Sequence, residues 1–367
     1  MSTKKNNITK HSFFLKLALI QAKKKLGNTK INPSVGCIIV KNNHVIGAGS
    51  TGTNGRPHAE TNAISSTKTN IIGSDIYITL EPCSHYGKTP PCVNMIIKNG
   101  IKRVYFSIKD PDIRSYNKSY IKFKRKGIAA KQGINYSEIN SFYRSYRKYK
   151  SKKLPFVTAK VAVSKDFYTV DRRGKWITNI FSRSRVHLLR SMHDCIITSS
   201  ETIIKDNSCL TCRILGLENE SPARIILDKK LKIPLNSNIV RKARKYRTII
   251  FFSELKKNKF ASLKKLNIKL YKSPLSKDGN LDLKNILYKV KKLGFSRIFL
   301  ESGLKLTSNF LINNLVDDFY LFISKNKLGN NGSNNIKKYI KLLFKNKKFI
   351  NEKVNLKGES LISYKLK

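Results

Sequence analysis

Acid is what this sequence lacks most: 22 Asp and Glu stand against 74 Lys and Arg, a formal net charge of +52. An excess of that size suggests nucleic-acid binding, because basic surfaces displace counterions from phosphate backbones. The distribution argues otherwise. Lysines occur in every segment, from "QAKKKLG" to "LFKNKKFINEK", with no basic tail and no single basic block. No dedicated nucleic-acid binding is expected, although a generally positive field favours a phosphorylated small substrate. Cysteine is also scarce, six in 367 residues, which excludes a disulfide scaffold. In a reducing compartment, closely spaced cysteines more often bind metal or take part in chemistry. Long apolar runs are missing too: "FFLKLALI" (Phe13 to Ile20) is too short to span a bilayer and carries Lys16. The opening "MSTKKNN" has neither the apolar stretch nor the cleavage site of a secretory signal. A cytoplasmic protein without membrane association is expected.

What is present is a folded composition, 40% hydrophobic and 10% aromatic, over a length that suits two domains. Helical periodicity runs through "HSFFLKLALIQAKKKLG", with Phe14, Leu17 and Ala18 on one side and Gly27 as a stop. Two strands, Val35–Lys41 and His44–Ala48, follow around an Asn-Asn turn. A helix is expected from His58, a buried strand in "SDIYITL", a helix over Pro91–Asn99 and a strand in "RVYFSI". The Tyr-rich basic stretch before Pro155 marks a domain boundary near residues 148–154. Beyond it, "FVTAKVAV", "DCIITS", "ARIILD", "RTIIFF", "RIFLESG" and "DDFYLFIS" read as strands, with helices such as Phe181–Met192 and Leu283–Leu293 between them. No fixed-period repeat is present. The pattern predicts two layered α/β domains, residues 1–150 and 151–367.

The stretch with most chemistry is "LEPCSHYGKTPPC", Leu80 to Cys92. Alone it is compatible with a disulfide loop, a structural zinc turn or half of a catalytic metal site. Upstream lies "PHAET", giving His58 and Glu60 at a helix start. A His-x-Glu followed by a strand, Pro-Cys and a second Cys is the arrangement of zinc deaminases. His58, Cys83 and Cys92 would fill three of zinc's four positions and leave one for water. Zinc brings the pKa of such water to roughly 7, and Glu60 beside it would shuttle protons. Nucleic-acid and nucleotide deaminases usually close with Pro-Cys-x-x-Cys, whereas eight residues separate Cys83 from Cys92 here.

"EPCSHYGKTPPC" and "NPSVGCIIVKNNHVIGAG" resemble the deaminase half of the bifunctional deaminase–reductase family of riboflavin biosynthesis. In the second half "KWIT", "HLLRS", "SSETIIKDNSCLTCR" and "FLESG" fall in that family's order, so the resemblance covers nearly the whole chain. It implies a cytidine-deaminase-like first domain and a dihydrofolate-reductase-like second one, each three-layered. It also implies deamination of a phosphoribosylaminopyrimidine, then NADPH reduction of its ribosylamino group to ribitylamino. The cofactors are Zn2+, one per chain, and NADPH; a homo-oligomer is expected. Carried over by position, Ala162, Trp176, Thr202, Asp206 and the loop from Gly303 to Asn309 contact the cofactor. Arg190, Leu210, Arg213 and Glu301 contact substrate, the two arginines through forked bonds to phosphate. Asn32, His85 and Lys88 are further candidates for substrate contact in the first domain, the latter two set against a solvated loop. For Trp176 the competing reading is a core aromatic, and for Asp206 a turn residue.

Several positions depart from the family pattern. Its Ser-Leu-Asp-Gly is "SKDF" (Ser164–Phe167), which removes a glycine where the backbone must be permissive. The segment from Ser164 to Trp176 is short, Gly174 replaces a serine, Asp-Asn-Pro reads "DNS", and Asp-Pro-Asn-Pro reads "DPDIRSYNKSY" from Asp110. Cys209 and Cys212, in "CLTC", lack a second ligand pair and read as incidental thiols. The alternatives are a deaminase with an impaired reductase domain, an RNA-base deaminase, or a non-enzymatic basic binding protein.

Overall fold

The structure, a computed structural model, describes residues 2–151 and 154–367, with side chains from Lys10 onward. Met1, Lys152 and Lys153 lie outside the described residues, so the expected boundary at 148–154 is described only in part. The chain divides into two compact units, Met1–Lys153 and Leu154–Lys367.

In the first unit the elements run α1 (Ser2–Lys23), β1 (Gly36–Lys41), β2 (His44–Ser50), α2 (Ala59–Ser65), β3 (Asp75–Leu80) and α3 (Cys92–Lys98). They continue β4 (Arg103–Ile108), α4 (Lys118–Arg125), β5 (Ala129–Gln132), α5 (Tyr136–Phe142) and α6 (Arg144–Ser151). The sheet order is β2-β1-β3-β4-β5, with β1 antiparallel to both neighbours and β3, β4 and β5 parallel. Asn42 and Asn43 both take positive φ, 49° and 67°, the pairing that a two-residue hairpin turn needs. β3 is buried along its whole length, as its unbroken apolar run implies for a central strand.

Two glycines show how the layers stack. A Cβ on Gly36 would lie 1.8 Å from Ala18 O in α1, and one on Gly49 would lie 2.3 Å from Ala59 O in α2. Cys37 pairs with Gly49 in the β1–β2 ladder. Successive strand residues face opposite sides, so Gly36 and Cys37 put α1 and α2 on opposite faces of the sheet. The result is three layers, helix, sheet, helix.

The second unit comprises β6 (Phe156–Val163), β7 (Tyr168–Asp171), α7 (Ile180–Ser191), β8 (Cys195–Ser199), α8 (Ser200–Asp206) and β9 (Ala223–Leu227). Then come α9 (Asn238–Arg241), β10 (Thr248–Phe252), α10 (Lys257–Lys265), β11 (Lys269–Lys272), α11 (Leu283–Lys292) and β12 (Arg297–Leu300). The chain ends with α12 (Leu304–Ile312), β13 (Asp318–Ile323), β14 (Gly332–Asn335), α13 (Lys337–Phe344), β15 (Phe349–Asn351) and β16 (Ser360–Lys365). The large sheet has the order β11-β10-β9-β8-β12-β6-β13-β16-β15, parallel as far as β13 and antiparallel beyond it. Neighbouring residues Ile225 and Ile226, Ile249 and Ile250, and Phe251 and Phe252 fall alternately into two separate buried clusters. Each face of this sheet therefore carries its own core. Among the described residues, no helix is long and apolar enough to cross a membrane.

One expectation is corrected here. The segment from Gly303 to Asn309 is not a loop: Gly303 is the N-cap, and the chain is helical from Leu304. "LKLTSNFLI" buries Thr307 and Phe310, three apart on one helical face, a period hidden by the preceding "ESG".

Gly49→Ala is expected to destabilise the first unit by about 1–3 kcal/mol, because the added methyl meets backbone that cannot yield cheaply. Denaturant unfolding of the two proteins measures it, and an unchanged midpoint would contradict the packing of α2 on β2.

Candidate metal centre and reductase cleft

His58 is the N-cap of α2, in extended backbone with φ −71° and ψ 159°. Glu60 is buried one residue inside that helix. Cys83 follows the C-terminal end of β3, and Cys92 is the first residue of α3. The ligand-type atoms of His58, Cys83 and Cys92 all lie within 4.8 Å of one another. His58 Nδ1 is 3.3 Å from Cys92 Sγ and 3.5 Å from Cys83 Sγ. Zinc bonds of about 2.1 Å to nitrogen and about 2.3 Å to sulfur, at tetrahedral angles, would hold such atoms about 3.6 Å apart. The donor set fits zinc, and its geometry selects Nδ1 as the imidazole donor.

The donors share protons among themselves: the hydrogen bond to Cys83 raises the His58 imidazole above its ordinary value. Cys83 accepts from the backbone N–H of Cys92 at 3.3 Å. Hydrogen bonding from Cys92, with further help from His58, outweighs burial and draws the Cys83 thiol down to about 4. Its proton neighbour Cys92 moves the other way, well up, because it donates to Cys83 and is buried. Burial, then the Cys83 charge, pushes the Glu60 carboxyl up to about 7. Desolvation is thus the main reason a carboxyl here is able to hold a proton near neutrality.

The surrounding loops have their own anchors. Asn32, expected near substrate, donates its amide to Gly55 O at 3.0 Å, in the segment leading to His58. His85 Nδ1 meets Ser115 Oγ at 3.0 Å, while Lys88 is exposed. Arg56 donates to Thr89 Oγ1 at 2.8 Å, tying the same segment to the loop between the cysteines. The residue that sequence reasoning missed is Glu81. Its buried carboxylate accepts from the backbone N–H of Asp110 (3.2 Å), Asn117 (3.0 Å) and Ser119 (3.2 Å), and from Ser119 Oγ (2.6 Å). It fastens the altered "DPDIRSYNKSY" segment beside the cysteine loop. The only sequence signal was an acid inside the "EPC" motif.

In the second unit Arg190 of α7 and Glu301, just beyond β12, form a two-pronged pair at 2.9 and 2.8 Å. Burial opposes ionisation of Glu301, but the Arg190 guanidinium prevails and holds its carboxyl below the ordinary value. The remaining Arg190 prong donates to Thr211 O at 2.8 Å. Two of Arg190's nitrogens thus face Glu301, while Arg213 is exposed. Leu210 is buried with φ 52°, inside the same segment. Thr202 Oγ1 accepts from Gly303 N at 3.1 Å, so two expected cofactor residues meet. Ala162 is half-buried on β6, and Asp206 ends α8 in exposed backbone. Trp176 is 78% exposed, with the Arg183 guanidinium 5.2 Å from its ring, so it is not a core aromatic. Lys160 was also missed; it sits within the field of Glu301, Arg190 and Asp206, and burial lowers its pKa. A single lysine inside the apolar "FVTAKVAV" was its signal.

Phe167 has φ 69°, which confirms that the missing glycine left a position needing positive φ. Its ring packs against the core of the second unit. That partial burial works against a backbone cost of about 1–2 kcal/mol. Cys209 and Cys212 are free thiols.

A deaminase-type metal site in one α/β unit and a buried charged cluster in a second define a two-domain enzyme. Residues 8–108 match the cytidine and deoxycytidylate deaminase zinc-binding region, and residues 155–351 match the RibD C-terminal domain. The riboflavin biosynthesis protein RibD of Aquifex aeolicus is 33% identical over 318 residues, covering 86% of this chain and 87% of that one. Its counterpart in Actinobacillus pleuropneumoniae is 29% identical over 354 residues, 94% and 93% of the two chains. Among solved structures, the diaminohydroxyphosphoribosylaminopyrimidine deaminase/5-amino-6-(5-phosphoribosylamino)uracil reductase of Thermotoga maritima superposes with a TM-score of 0.81 at 30% identity, covering 98% of this chain and 99% of that one. The chain belongs to the RibD family, the bifunctional deaminase and reductase of riboflavin biosynthesis.

Glu81→Ala is expected to leave four donors without their acceptor and to loosen residues 110–119. Hydrogen exchange should show lost protection at the Asp110, Asn117 and Ser119 amides; retained protection would refute the anchoring role.

Proposed function

We propose that the first unit deaminates diaminohydroxyphosphoribosylaminopyrimidine and the second reduces 5-amino-6-(5-phosphoribosylamino)uracil, the reactions named for the Thermotoga maritima relative, with NADPH as the reductant. The observation that carries the reading is the His58, Cys83 and Cys92 cluster with Glu60 buried beside it. His58 Nδ1 and the two cysteine sulfurs would hold zinc. When bound, the metal supplies the Lewis acidity that makes water nucleophilic near neutral pH. Deamination forms a C–O bond from water, breaks the exocyclic C–N bond and releases ammonia. Glu60 carries two protons in turn: the first from water to the ring nitrogen, the second from the hydroxyl now on carbon to the departing amine. Burial raises the Glu60 carboxyl above its ordinary value, which suits a group that must both take and give a proton.

In the second unit bound NADPH would supply the hydride, and the protein would orient cofactor and substrate. Thr202 and Gly303, joined by a hydrogen bond, form one wall of the cofactor site, with Ala162, Trp176 and Asp206 as further contacts. Glu301, fixed by Arg190, faces the substrate with Leu210. Arg213 binds its phosphate by charge-assisted hydrogen bonds. Supplying the diaminopyrimidine ribotide with and without NADPH, and identifying the products, tests both assignments together. A product that keeps its exocyclic amine would refute the first, and an unreduced ribosyl group in the presence of NADPH would refute the second.

Glu60→Gln is expected to retain one zinc per chain while deamination falls by about a hundredfold or more. Metal analysis and an ammonia assay measure the two quantities. Titration with NADPH is expected to change the fluorescence of Trp176, the single tryptophan. An unchanged signal at millimolar cofactor would remove Trp176 from the cofactor site.

A further inference from the structure

Thr211 O, in the segment that carries Leu210 and Arg213, accepts from Arg190 Nη1 at 2.8 Å and lies 3.0 Å from His187 Nδ1. A carbonyl only accepts, so His187 satisfies this contact by carrying its proton on Nδ1. Arg190 Nη1 and His187 Nδ1, 3.3 Å apart, are then two donors converging on one oxygen. The other ring nitrogen is left with its lone pair, and Arg213 Nη2 lies 3.2 Å from it. An arginine donates only, so the single neutral tautomer that fits Thr211 O is also the one that receives Arg213. The environment keeps the ring neutral: burial, then Arg190 and Arg213, draw His187 down to about 4. His187 is buried on α7, whereas Arg213 is exposed in the segment between α8 and β9.

We infer that His187 is a positioning residue for substrate phosphate: through Nε2 it holds the Arg213 guanidinium in the orientation that receives the phosphate of the reductase substrate. The inference rests on the proposed contact between Arg213 and that phosphate. A flexible arginine at an exposed site loses rotamer freedom on binding an anion, and a fixed acceptor removes part of that loss beforehand. His187 touches no reacting atom. Its effect therefore belongs in affinity for the phosphorylated substrate and not in hydride transfer.

The test uses the full chain, the phosphorylated uracil substrate and its dephosphorylated riboside, with turnover followed by NADPH loss. His187→Leu is expected to raise KM for the phosphorylated substrate about tenfold with kcat within about twofold. The riboside should be turned over as before, so the preference for phosphate shrinks. His187→Gln, whose amide offers one donor and one acceptor, should restore most of that preference. NADPH affinity, read from Trp176 fluorescence, reports whether each variant is folded. Arg213→Met separates the two levels of the reading. If it erases phosphate preference and His187→Leu does not, the positioning role is overturned while the phosphate contact stands. If Arg213→Met leaves the preference intact, the phosphate contact itself fails and the inference falls with it. A His187→Leu protein that loses riboside and phosphorylated turnover equally would show a general structural role and overturn the inference.

Discussion

The seating of α2 on the edge strand β2 is the contact on which the first unit's chemistry depends. Ala59, between His58 and Glu60, presents its carbonyl to Gly49 at a distance no Cβ would permit, and Ala63 does the same to Gly47. Glycine at both positions lets the helix lie directly on the strand's backbone. Polar contacts complete the seat: Asn62 donates to Ser50 O at 2.8 Å, and Ser66 Oγ accepts from Ala48 N at 3.1 Å. These bonds also occupy groups that an open sheet edge would leave unpaired. A helix fixed this way points its first turn at the carboxyl end of β3, where the cysteine loop begins. The three metal donors therefore come from two helix starts and one strand end, all set by backbone packing and not by the side chains themselves.

Local patterns made much of this legible. The Asn-Asn hairpin, the apolar β3 run, the His-x-Glu and the eight-residue cysteine spacing are each readable within a dozen residues, and each has its counterpart in the structure. What stayed hidden is closed over long stretches of chain. Glu81 meets donors 29 to 38 residues away. Arg190 and Glu301 are 111 residues apart, and nothing local shows that they pair. The loss of glycine at Phe167 was visible, because the family pattern names the position. The compensating burial of its ring was not, because burial depends on which elements come together. β16 escaped for a related reason: "SLISYK" alternates like a half-buried strand only once β13 is there to pair with it.

The scarcity of acid has a structural counterpart. Many of the few carboxylates here close loops by accepting backbone N–H groups. Glu81 does so for three amides, Asp166 for Leu328 and Gly329, Asp194 for Ser296 and Arg297, and Asp228 for Lys232 and Ile233. Glu359 accepts from Asn179 N, and Asp317 from Val157 N. Replacing such a group with lysine would strand its donors at about 1–3 kcal/mol each where they are buried. Replacing an exposed acid usually changes stability by no more than about 0.5 kcal/mol. Stability alone therefore permits a heavy shift toward lysine at the surface and resists it at these anchors. The charge of +52 then reports on surface composition, and the site chemistry is set by carboxylates that the fold retains. A basic exterior and a His-Cys-Cys donor set are compatible because they answer to different constraints. A long-range field acts on any anion alike, so discrimination rests on donors fixed locally by the fold.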